Sequence, residues 1–276
     1  MSEPDYEVEY DNRARVPEHS SIMSRWAKVS AALRAGGRCK LDLPYGATDR
    51  QRYDLFLPTA EPAGLVVYVH GGYWQRGDRK DYAFVAAALL DHDIAVAVPS
   101  YTLAPAASVA AMVGEMRRAV AAVADRTGLA PVVVGHSAGG HMAAMLLATD
   151  WRDLGMSPPG LRSAVSLSGV FDLDPLLSTS LNAALGLDAA SARSVSPLHG
   201  SAPPRGSRFI AAVGALESRE FLRQSRVMAA AWRQAGIDAE DMVVPGTNHF
   251  TIVDQVTDAG SPLFRSICNL VRDGPV

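Results

Sequence analysis

Cysteine is nearly missing from this chain: Cys39 and Cys268 are the only two in 276 residues, far apart and without the close spacing of a metal knuckle. That excludes a disulfide framework and points to a reducing compartment, in the simplest case the cytoplasm. Charge of one sign is missing too. With 26 Lys and Arg against 29 Asp and Glu, the formal charge of −3 offers no electrostatic grip on nucleic acid or an anionic membrane. Every apolar stretch is broken before it could span a bilayer. The acidic opening Met1-Ser2-Glu3-Pro4-Asp5-Tyr6-Glu7 lacks the basic-then-apolar order of a secretion signal. Repeats and low-complexity tracts are absent. These absences predict a soluble, unexported protein whose partner is a small molecule and, at most, a second copy of the chain.

What is present is apolar content, at 48%, ample for one large α/β domain spanning 1–276. A helix over Ser24 to Leu33, stopped by Gly36-Gly37, is expected on the outside of the domain. Leu41 to Tyr45 and Gln51 to Pro58 read as an early strand pair. Leu65-Val66-Val67-Tyr68-Val69 is a continuous apolar run, as a strand covered on both faces requires. A helix over Arg79 to Leu90, a strand over Ile94 to Val98 and a helix over Ala106 to Ala124 follow. Further strands are expected at Ala164 to Ser168, Phe209 to Val213 and Asp241 to Val244. Strands alternating with helices imply a doubly wound, mostly parallel α/β sheet with its functional loops at the carboxyl ends of the strands. Between 172 and 204 the pattern loosens into Leu-, Ala-, Ser- and Pro-rich sequence. Such an excursion inside a compact domain reads as a cap over a site.

One segment carries chemistry. Gly135-His136-Ser137-Ala138-Gly139 stands directly behind Pro131-Val132-Val133-Val134 and directly before a helical run from Gly140. Strand, sharp turn and helix make a nucleophile elbow, with Gly135 and Gly139 giving the room for strand and helix to approach. The five-residue pattern alone is common; the strand before it and the helix after it make it specific. Of seven histidines, only His249 in Asn248-His249-Phe250 follows the last strand, where a general base for Ser137 would stand. The orienting acid lies after the strand ending at Val213, and Glu217 and Glu220 compete for it. Glu217 is favoured by its loop position, whereas Glu220 opens a helix, where a carboxylate complements the dipole. His70-Gly71-Gly72-Tyr73-Trp74 supplies a loop for oxyanion donors: Gly71, Gly72 and Tyr73 there, with Ala138 beside the nucleophile. His70 is expected to brace that loop. Trp74, Tyr101, Phe171 and Phe250 are candidates for an aromatic substrate pocket.

Taken together, His70-Gly71-Gly72-Tyr73-Trp74, the elbow from Gly135 to His141, Glu217 to Phe221 and Asn248-His249-Phe250 resemble the α/β-hydrolase superfamily. Within it, they are similar to the kynurenine formamidase (arylformamidase) family and its His-Gly-Gly esterase relatives. Tyr10-Asp11-Asn12-Arg13 and Val16-Pro17-Glu18-His19 look like that family's amino-terminal segment. The resemblance covers nearly the whole chain. It implies a serine hydrolase that cleaves N-formylkynurenine to kynurenine and formate without metal or organic cofactor. One departure stands out: Glu217 occupies the place where the family commonly carries Asp. A small-acyl carboxylesterase, a lactonase or another amidase would use the same machinery. A non-catalytic α/β-hydrolase that only binds ligand is the reading from another class.

Overall fold

The computed structural model describes residues 4–152 and 161–273, so Met1, Ser2 and Glu3 of the acidic opening lie outside it. Eight strands follow the chain: β1 (Cys39–Pro44), β2 (Arg52–Phe56), β3 (Gly64–Val69), β4 (Ile94–Pro99), β5 (Pro131–His136), β6 (Ser163–Leu167), β7 (Arg208–Gly214) and β8 (Asp238–Val244). They form one sheet in the order β1-β2-β4-β3-β5-β6-β7-β8. The pairs β1·β2 and β2·β4 are antiparallel, and every other pair is parallel. The doubly wound, mostly parallel α/β sheet expected from the sequence is present. Strands β3 to β6 are buried along their whole length. Their alternate residues feed two cores: Leu65, Val67 and Val69 face one, while Val66 and Tyr68 face the other.

Around the sheet lie α1 (Tyr6–Tyr10), α2 (Asn12–Arg15), α3 (His19–Ala35), α4 (Arg79–Tyr82), α5 (Ala86–Leu90), α6 (Val109–Thr127), α7 (Ala138–Leu147), α8 (Asn182–Leu185), α9 (Ala189–Ser194), α10 (Arg219–Gln234) and α11 (Pro262–Arg272). Helix α6 starts where the Ser108 side chain accepts the Ala111 N–H and stops at Gly128, whose φ of 69° suits a left-handed cap. The single helix expected over Arg79 to Leu90 is instead three pieces, with a 3-10 turn at Ala83–Val85 between α4 and α5. The cause is tertiary. Ser30 Oγ on α3 donates to the Asp81 carbonyl and accepts the Phe84 N–H, diverting both groups from a helical ladder.

Within 172–204 the chain forms a 3-10 turn at Asp174–Ser178 followed by α8 and α9. His141 on α7 donates from Nε2 to the Val195 carbonyl at 2.6 Å, tying this segment to the elbow helix. The amino-terminal α1 is tied to the same segment, because both Glu7 carboxylate oxygens accept from Ser180, one from its N–H and one from its hydroxyl. No helix among the described residues is long and apolar enough to cross a membrane.

Candidate active site

Ser137 sits at the turn between β5 and α7 with φ 55° and ψ −116°, a backbone region that costs a non-glycine residue on the order of 1–3 kcal/mol. Close packing holds it there. A Cβ on Gly135 would lie 2.0 Å from the Gly139 carbonyl oxygen, and one on Gly139 would lie 2.0 Å from that of Val69. The two glycines let strand β5 and helix α7 touch, and neither position has space for even one methyl group. The Ser137 N–H donates to Leu167 O at 2.8 Å, extending the β5·β6 ladder by one residue.

His249 follows β8, and its Nδ1 lies 2.7 Å from Glu217 Oε2. An ionised carboxylate only accepts, so Nδ1 carries the proton and Nε2 is left as a base. The other carboxylate oxygen, Oε1, accepts the Ser168 hydroxyl at 2.5 Å and the Gly214 N–H at 2.7 Å. Glu217 is therefore clamped at both oxygens, with its side chain fully buried. Glu220 is engaged elsewhere. It pairs with Arg223 through both oxygens and accepts from Tyr10 Oη and Gln224 Nε2. Of the two competing acids, it is Glu217 that meets His249. The loop from Gly214 to Glu217 turns tightly, with Glu217 N–H donating to Gly214 O, and so accommodates the longer arm.

His70-Gly71-Gly72-Tyr73-Trp74 leaves β3 in a strained path: φ is 118° at Gly72, 50° at Tyr73 and 57° at Trp74. Gly71 packs on the elbow, where a Cβ would approach Ser137 Cβ to 3.0 Å. His70 Nδ1–H donates to Gly71 O at 2.8 Å, and its ring stacks between Tyr82 and Tyr101, so it braces the loop as expected. Burial lowers its pKa to about 4, leaving it neutral near pH 7. Ala138 opens α7, and its N–H has no acceptor within the helix.

A cavity of about 330 Å³ joins these pieces. Ser137, His249, Gly72, Tyr73 and Phe250 line it, together with Tyr10, Asn12, Arg13, Arg76, Tyr82, and residues 179–181. Three aromatic residues expected there are not on its wall. Trp74 is buried edge-on against His141, Tyr101 donates its hydroxyl to His70 O, and Phe171 packs edge-on against Phe209. Trp74 and Tyr101 hold the loop and Phe171 fills core; Phe250 alone of that group faces the cavity.

Sequence reasoning missed several residues. Ser168, at φ 55° after β6, holds the acid. His136 donates from Nε2 to the His249 carbonyl at 2.7 Å, fixing that loop, and burial followed by the nearby His249 charge keeps its pKa well below the ordinary histidine value. Tyr10 and Asn12 wall the cavity from a segment whose likeness to the family was visible but whose role was not. Asp172, Asp174 and His199 bring potential metal-ligand atoms within 4.8 Å of one another. None of the three lines the cavity.

Against known proteins, the BD-FAE family model matches residues 53–163. A kynurenine formamidase of Danio rerio is 31% identical, with 98% of this chain and 97% of the relative aligned. One of Salmo salar is 34% identical over 84% of this chain and 81% of its own length. A solved structure from Silicibacter sp. tm1040, put forward as a thioesterase, superposes with a TM-score of 0.89 at 33% identity, covering 96% of this chain and 100% of that one. With that likeness running the length of the chain and through the elbow, the chain belongs to the kynurenine formamidase family of α/β-fold hydrolases.

Proposed function

We propose that this chain hydrolyses the formamide of N-formylkynurenine through a formyl-enzyme on Ser137. The observation that carries the reading is the placement of Ser137, His249 and the Gly72-Tyr73 loop on one cavity in a chain of this family. His249 Nε2 takes the proton of Ser137 Oγ as that oxygen attacks the formyl carbon, and Glu217 stabilises the imidazolium through Nδ1. N–H groups of Gly72, Tyr73 and Ala138 receive the oxyanion, while Gly71 keeps their loop pressed to the elbow. His249 then protonates the anilide nitrogen, the C–N bond breaks and kynurenine leaves. Water, deprotonated by His249, releases formate.

The acyl side favours a small group. Ser137 is 2% exposed, and Thr179, Ser180 and Leu181 from the 172–204 segment roof the same cavity, which we assign as a cap over the site. Tyr73, Tyr82 and Phe250 place aromatic side chains on the wall that an aromatic leaving group would meet. Formate release from N-formylkynurenine, compared by kcat/KM with p-nitrophenyl esters of rising chain length, is the test. Preference for the formamide and short acyl groups is expected. Preference for hexanoyl or longer esters without formamide cleavage would establish the esterase alternative instead.

A further inference from the structure

Two guanidinium groups stand on the cavity wall without a carboxylate to meet them. Arg13, on the exposed rim at α2, and Arg76, half-buried two residues after Trp74, both line the space that Ser137 and His249 share. Among the described residues, neither has an ion pair or side-chain hydrogen bond within the protein. The acids nearby are engaged or directed elsewhere. Glu7 is held at both oxygens by Ser180, and Asp11 caps α2 by accepting the Ala14 N–H. Asp81 lines the cavity too, but burial, then the charge of Asp78, raises its pKa and so disfavours its ionised form. Arg76 and Arg13 are close enough that the charge of Arg13, after burial, lowers the Arg76 pKa. Two like charges at a partly desolvated wall repel unless an anion lies between them, and guanidinium forks match a carboxylate in shape.

A third group points to the same ligand. Asn12 lines this cavity and is 2% exposed, and its Oδ1 is buried without a partner among the described residues. Its orientation is fixed by Tyr73, whose hydroxyl proton goes to the Tyr10 carbonyl at 2.5 Å, so that Asn12 Nδ2 must donate to Tyr73 Oη at 2.9 Å. Oδ1 is left to accept an N–H from whatever fills the cavity.

We propose that Arg13 and Arg76 bind a carboxylate on the substrate while Asn12 Oδ1 accepts one of its N–H groups, so these three side chains set the enzyme's preference for an anionic, amino-bearing acyl anilide. The inference deepens the formamidase reading and rests on the site being hydrolytic. It is tested by kcat/KM on two pairs whose members differ by one carboxyl group, N-formylkynurenine against its decarboxylated analogue and 2-acetoxybenzoate against phenyl acetate. The wild-type protein is expected to favour the carboxylated member of the formyl pair at least tenfold, mainly through KM. Arg76→Gln and Arg13→Gln should each reduce that ratio roughly tenfold, with Arg76→Lys retaining part of it and Arg13→Glu reducing it further than Arg13→Gln. Asn12→Leu should raise KM for N-formylkynurenine more than for phenyl acetate. Unchanged ratios in both glutamine variants would overturn the proposal. If the esters are cleaved and the formyl compounds are not, the formamidase reading fails and the ratio on the ester pair decides for or against the arginines by itself.

Discussion

At the scale of single residues, the site depends on how little freedom Glu217 has. Its Oε1 is held by Ser168 and the Gly214 N–H, and its Oε2 by His249. Glu217→Gln replaces an ionised acceptor by an amide that can present its NH₂ to His249 Nδ1, which then turns the wrong tautomer toward Ser137. We expect kcat to fall by about 10²-fold or more, with KM little changed. Glu220→Gln, three residues on, should leave kcat within a few-fold. It should instead lower stability by roughly 1–3 kcal/mol, because Arg223, Tyr10 and Gln224 lose a charged partner. Steady-state kinetics and urea unfolding on the two variants check this division. A larger kcat loss in Glu220→Gln would reverse the assignment.

At the scale of elements, what could be read from the sequence was what is decided locally. The central strands are continuous apolar runs because both of their faces are covered, and the elbow announces itself through strand, glycines and helix in one short stretch. The extra strain at Ser168 and the three-part helix over 79–90 were not legible, because their causes lie far along the chain. Ser30 reaches Asp81 and Phe84 across about 50 positions, and Tyr10 reaches Glu220 across 210. No periodicity or propensity encodes such a pairing. Trp74, Tyr101 and Phe171 illustrate the same limit from the other side. Their position at strand ends was readable, but which way each ring turned depended on His141, His70 and Phe209. The break in the helix gives a prediction. Ser30→Ala leaves the buried Phe84 N–H without its acceptor and removes a donor from the Asp81 carbonyl, so the urea midpoint should drop by the equivalent of about 1–3 kcal/mol. A change under a few tenths of that would mean the 3-10 turn has another cause.

At the scale of the whole molecule, burial of uncharged histidines ties stability to pH. His70 and His141 are both fully buried, and burial takes each from 6.5 to about 4. The unfolded chain protonates them near their ordinary value, so it binds more protons than the folded state between these two limits. Stability therefore falls as pH drops through 6.5 toward 4, by up to about 3 kcal/mol for each, and these groups take no more away below that range. His141→Gln keeps a donor for Val195 O without the titration. Wild type and variant should have unfolding free energies whose difference shifts in favour of the variant as pH is lowered from 7 to 4.5. Parallel curves would contradict the neutral-histidine account. The loops after five strands meet at one site: those after β3, β5 and β8 bring Gly72-Tyr73, Ser137 and His249 to the cavity, and those after β6 and β7 bring Ser168 and Glu217 behind His249. The amino-terminal helices and residues 179–181 add to its wall. The central claim is that this site is a serine formamidase, and formate release from N-formylkynurenine by the wild-type protein and by Ser137→Ala measures it most directly. The account predicts turnover by the wild type and a loss on the order of 10³-fold or more in a variant that remains folded. Turnover retained in Ser137→Ala, or no formate from the wild type while long-chain esters are cleaved, would contradict it.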